Sequence, residues 1–152
     1  MPNGRWSPDL ITGNARIDAE HRELFAMAAS MVADPKRSDT LKVGLAMLEY
    51  FESHAAEHFL AEEEQMSCCG YPGLLEHRAE HGRLVEYVAN MRREVSSGGT
   101  DAEVLAIANR LLCNWLVRHM TTHDQSLASY LRDHPHPPAP AEPPRLDARP
   151  LR

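Results

Sequence analysis

The sequence predicts an all-α protein, an antiparallel up-down four-helix bundle with an N-terminal arm and a disordered proline-rich C-terminal tail. Three observations carry that expectation. Apolar residues recur at steps of three and four through four long segments, the period of an amphipathic helix. Prolines fall between those segments, and no stretch reads strongly as a strand. At 152 residues the chain suffices for one domain with a core of its own.

Residues 1–16, with Pro2 and Pro8, form the arm, and residues 17–133 the bundle. The first helix is expected from about Asp18 to Val32, where Leu24, Phe25, Ala28 and Met31 share a face. A loop across Ala33 to Ser38, holding Pro35, leads to a second helix from about Asp39 to Met66. Its apolar face is Leu41, Leu45, Leu48, Phe51, Phe59 and Met66, and it stops before Cys68-Cys69-Gly70-Tyr71-Pro72-Gly73. The third, about Leu74 to Val95, carries Leu84, Val85 and Val88 and ends at Ser96-Ser97-Gly98-Gly99. The fourth starts at a cap on Thr100 or Asp101 and runs through Val104, Leu105, Ala108, Leu111, Leu112, Trp115, Leu116, Leu127 and Leu131 as one helix. Residues 134–152 hold seven of the eleven prolines and two large aliphatic residues, which neither sustain a helix nor build a core.

Composition narrows the function. Sixteen Lys and Arg against 22 Asp and Glu give a net charge of −6, which argues against affinity for nucleic acid or an anionic membrane. No run of about 18 apolar residues is present to insert in a membrane, and the start MPNGRWSPDL has no signal-peptide core. Three cysteines, two adjacent (Cys68, Cys69) and one distant (Cys113), do not form a disulfide framework, so reduced thiols and a cytoplasmic location are expected.

Nine histidines are the outlying number. His21 lies on the first helix, His58 and Glu62 on the second, His77 and His81 on the third, and His119 with Asp124 on the fourth. Pairs four apart share a helical face about 5–6 Å apart, so His58 with Glu62 and His77 with His81 each aim two donors at one point. The five-residue step from His119 to Asp124 turns through about 140° on an α-helix, which suits neighbouring ions better than one ion. Five imidazoles and two carboxylates in a bundle interior carry a large desolvation cost unless metal compensates it. Imidazole suits iron, zinc, copper or nickel, so ligand type does not name the metal.

The stretches IDAEHRELF (17–25), HFLAEEEQM (58–66), YPGLLEHRAEH (71–81) and WLVRHMTTHD (115–124) resemble the hemerythrin family, in particular its bacterial single-domain members. The resemblance implies two iron ions per chain: His77, His81 and His119 on one, His21 and His58 on the other, with Glu62, Asp124 and an oxo or hydroxo group bridging. It further implies reversible binding of dioxygen at the iron with fewer protein ligands, for storage, delivery or local sensing, and no enzymatic turnover. Leu24, Phe25, Phe59, Trp115, Leu116 and Met120 are the expected apolar walls of the oxygen pocket. A di-iron oxidase ranks second, because carboxylate-rich sets with Glu-x-x-His pairs suit that chemistry and imidazoles dominate here. A sensor signalling to an unidentified protein partner, through the Cys68-Cys69 loop or the tail, ranks third.

Among the remaining polar residues, Asn14, Glu20 and Gln65 depart from the family pattern. Glu20 is expected at the surface, with a role in orienting neighbouring His21 as the alternative; Glu63 and Glu64 read as a solvated or capping pair. His54 is one turn from His58 and within reach of an access path, while His123 is expected to be exposed.

Overall fold

The computed structural model describes residues 6–30 and 39–134. All regular structure among them is helical: a 3₁₀ turn (Pro8–Leu10), α1 (Ala15–Ser30), α2 (Thr40–Cys69), α3 (Leu74–Ser96), α4 (Ala102–His119), a π turn (Met120–Asp124) and α5 (Gln125–Asp133). Met31, Val32, the connection up to Ser38, and the tail beyond His134 lie outside the described residues.

Two helix ends differ from expectation and a third settles between its two expected caps, each for a local reason. α1 begins at Ala15 because Asn14 Oδ1 accepts from the backbone N–H of Arg16 and Ile17, at 3.1 and 3.4 Å. α2 continues to Cys69, where Gly70 adopts φ 67°, a left-handed stop that a side chain would resist. Asp101 rather than Thr100 caps α4, its Oδ1 accepting from Glu103 and Val104 N–H at 2.9 Å.

The largest departure is in the fourth rod, which is not one α-helix. Gln125 N–H bonds to Met120 O, five residues back, so the chain passes through a π turn between α4 and α5.

Cross-helix pairs define the bundle as antiparallel. His58 meets Glu20, while Ser30 Oγ lies 3.9 Å from Met47 Sδ. Arg92 reaches Glu52 and His81 reaches Glu63; Tyr87 donates to Ala108 O while His77 and His81 face His119. Along this barrel of helices the interior changes character. Toward one end Leu48, Phe51, Ala55, Leu84, Val88, Met91, Val95, Leu105 and Leu112 make a continuous apolar core. Gly44 lets α2 approach Leu105 of α4 so closely that a Cβ there would collide with its side chain. At the other end the interior also buries His21, His58, Glu62, His77, His81, His119 and Asp124. Val85, Val104 and Leu111, expected in the core, face outward, at 37%, 50% and 54% exposure.

Residues 6–14 strap this second end. Trp6 meets Phe25 edge-on at 6.4 Å and carries the Arg22 guanidinium 5.0 Å above its ring. Asp18 Oδ1 accepts from Thr12 N and Oγ1 at 2.7 and 2.8 Å, while Gln125 Nε2 and Arg132 Nη1 donate to the carbonyls of Ile11 and Thr12.

Candidate metal centre

Every helix of the bundle delivers at least one polar side chain to a single buried point. Two sets of donor atoms lie within 4.8 Å of one another: Glu62, His77, His81 and His119 in one, His21, His58 and Glu62 in the other. Glu62 belongs to both. Its Oε2 is 3.7 Å from His58 Nε2, 3.6 Å from His77 Nε2 and 3.4 Å from His81 Nε2, while Oε1 is 3.7 Å from His21 Nε2.

Asp124 spans the same two sets. Oδ1 lies 3.1 Å from His77 Nε2 and 3.2 Å from His119 Nε2, and Oδ2 lies 3.3 Å from His21 Nε2. On a regular α-helix His119 and Asp124 would stand about 140° apart; the π turn closes that angle by fitting an extra residue into the coil. It also corrects the expectation for His123, which is half-buried with its ring stacked 5.1 Å from that of His119 and 5.5 Å from His77.

The arrangement is unbalanced without cations. Glu62 and Asp124 are each 1% exposed, and all four of their carboxylate oxygens are without a hydrogen bond among the described residues. His119 Nε2 stands 3.0 Å from His77 Nε2 and 3.1 Å from His81 Nε2, so three ring nitrogens converge on one point, with donor and acceptor roles set by the tautomers. Buried acceptors in this number are costly unless something positive lies between them, and imidazole with carboxylate suits iron and its neighbours. The donor set fits a pair of metal ions.

Electrostatics in the metal-free cluster follow from the same crowding. Burial depresses His21 and His119 as bases. Burial acts the same way on His77, but the carboxylates of Asp124 and Glu62 outweigh it and raise that imidazole to about 9. Burial and Asp124 oppose ionisation of Glu62, yet His77, His81 and His58 hold it down at about 2; His119 and His77 likewise hold Asp124 below the usual carboxylate range.

Two glutamates behave differently from their sequence expectations. Glu63, expected in solvent, accepts from His81 Nδ1 at 3.0 Å and pairs with Arg78 at 3.1 Å, because antiparallel α3 lies against the face of α2 one residue past Glu62. Glu20 neither sits free at the surface nor serves adjacent His21; it accepts from His58 Nδ1 of α2 at 2.8 Å. Carboxylates one residue from a metal-spaced position, on a face shared with a second helix, were the available signal. Glu64 is exposed as expected.

The proposed pocket residues fall into three groups. Phe59 stacks 3.9 Å from the His81 ring and Trp115 stacks 4.5 Å from His119, covering the three-histidine set. Leu24, beside His58, lines a cleft of about 290 Å³ with Arg16, Glu20, Glu23, Met27, His54 and Glu57. Phe25, Leu116 and Met120 are buried in the adjoining core. His54 donates to Tyr50 O at 3.1 Å and borders that cleft.

Residues 12–131 match the hemerythrin HHE cation binding domain. The chain belongs to the hemerythrin family. Among hemerythrin relatives, the bacteriohemerythrin of Ralstonia nicotianae is 29% identical across 86% of this chain and 90% of its own length. That of Methylococcus capsulatus is 31% identical across 71% of this chain and 80% of its own. The similarity extends to the myohemerythrin of Theromyzon tessulatum, 27% identical over 79% and 87%. No described helix of this hemerythrin is long and apolar enough to cross a membrane.

Proposed function

We propose that this hemerythrin binds dioxygen reversibly at two iron ions, serving oxygen storage, delivery or local sensing rather than substrate turnover. The observation that carries the reading is the uneven division of imidazoles about two buried carboxylates: three on one side and two on the other. His77, His81 and His119 would hold one ion, His21 and His58 the other, and Glu62 and Asp124 reach both. Two iron ions held there would supply the two electrons that reversible binding of dioxygen draws on.

The chain's own side chains decide whether that exchange is reversible. The two-histidine side has one protein ligand fewer, and the cleft beside Leu24 approaches it, giving a small neutral molecule a path. Leu24, Phe25, Phe59, Leu116 and Met120 are buried and carry no proton donor, so they exclude water and acid from the centre. Trp115 and Phe59 cover the rings of the three-histidine side and close that approach. Glu62 and Asp124, anionic across the physiological range, keep their oxygens available to metal.

The test is optical. Protein reduced anaerobically and opened to air is expected to develop a visible charge-transfer absorption that disappears when oxygen is removed. Absence of the band, or its persistence under argon, overturns the carrier reading. An iron content far from about two per chain overturns the paired centre itself.

A further inference from the structure

Five imidazoles face the centre, but only two have an anion on their outer nitrogen. His58 Nδ1 donates to Glu20 Oε2 at 2.8 Å and His81 Nδ1 donates to Glu63 Oε1 at 3.0 Å. The outer nitrogens of His21, His77 and His119 make no hydrogen bond among the described residues. The two backed imidazoles fall one in each donor set, His58 with His21 and His81 with His77 and His119.

We infer that Glu20 and Glu63 are positioning residues that set the donor strength of the two halves of the centre separately, Glu20 through His58 and Glu63 through His81. This rests on the paired-metal reading above. A carboxylate accepting the Nδ1 proton fixes the tautomer, so the Nε2 lone pair must point inward, and it draws the ring toward imidazolate character. A more basic ring binds a cation more tightly and favours its higher charge state. A neutral amide in the same place would fix the tautomer without adding the charge.

Both carboxylates are built into the fold in the same way. Each uses one oxygen for the imidazole and the other for an arginine: Glu20 Oε1 takes Arg16 Nε at 2.9 Å, and Glu63 Oε2 takes Arg78 Nε at 3.1 Å. Those arginines are 71% and 67% exposed at their side chains, so water screens their charge, whereas the glutamates, at 30% and 18%, are largely shielded. The arginines therefore orient each carboxylate more than they neutralise it. The halves differ in one respect: Glu20 borders the cleft beside Leu24, and Glu63 lies on the opposite pairing of α2 with α3.

Anaerobic cobalt(II) titration of the full chain, followed by visible absorption, separates this inference from the reading beneath it. Wild type that fails to take up about two ions per chain overturns the paired centre. Where wild type binds two, Glu20→Gln and Glu63→Gln are each expected to weaken one ion by roughly tenfold to a hundredfold and leave the other unchanged, with effects on different ions. Glu20→Asp, which restores the charge, is expected to recover most of the loss. Gln variants that bind both ions as tightly as wild type overturn the inference, since their hydrogen bonds would then be merely structural. So does a pair of variants that weaken the same ion. In iron-loaded protein the same Gln variants are expected to raise the midpoint potential.

Discussion

The two ends of the bundle solve opposite problems with the same four rods. At the apolar end Phe51, Leu48, Leu84 and Leu112 are buried against one another, and the interior is filled almost wholly by apolar side chains. At the other end seven polar side chains occupy equivalent interior positions, and their acceptors crowd one another. The lesson is a division of labour. One half of the chain holds the helices together, which lets the other half carry a site that would not hold itself together alone.

If that division is right, metal should stabilise the protein more than any single side chain does. Cobalt(II) at a thousandfold excess over each Kd is expected to raise the unfolding free energy by about 4 kcal/mol for each ion bound, read from denaturant melts with and without chelator. A melt that ignores metal would erase the contrast between the ends. Next in size, Leu112→Ala should cost about 3 kcal/mol, equally in metal-free and loaded protein, with the number of ions bound unchanged. A change in ion stoichiometry would show the two ends to be coupled.

A smaller effect of opposite sign sharpens the comparison within the apolar region. Asn109 is 7% exposed and its Oδ1 has no hydrogen bond among the described residues. Asn109→Leu is expected to stabilise by about 1 kcal/mol in a thermal melt, because an unmet acceptor there has no cation to answer it. The finest test counts protons. His77 is raised from 6.5 to about 9, so its contribution to metal-free stability is full below 6.5 and is lost as pH rises through 9. Metal needs that imidazole neutral, so uptake at pH 7.5 in weak buffer should expel a proton, and the release should fade above pH 9.

The four rods were legible because apolar period survives in the one-dimensional pattern, and His58, Glu62, His77 and His81 because spacing by four marks a shared helical face, whereas His21, His119 and Asp124 were legible through the family resemblance. What escaped were features belonging to pairs of helices or to broken period. The His119 to Asp124 step assumes about 100° per residue, an assumption the π turn violates. Glu20 to His58 is a contact 38 residues apart and Glu63 to His81 one of 18, so neither has a local signature. Val104 and Leu111 satisfy the helical period yet face outward, since period alone does not say how wide the buried stripe is. Asn14 marked a departure from the family pattern, but its capping role became visible only with the loop from Thr12 to Asp18 in place.

The π turn acts on more than Asp124. A coil that spends one additional residue in a turn leaves that turn out of phase with the helix that entered it, so α5 departs at an azimuth that α4 would not have dictated. That phase places Leu127 and Ala128 inward and sends Gln125 and Arg132 to the carbonyls of Ile11 and Thr12. Removing a single residue between His119 and Asp124 would therefore undo two things at once: the carboxylate would swing off the histidines, and the lashing of the N-terminal strap to the last helix would slip. A local irregularity five residues long sets the timing of the whole closing end of the molecule.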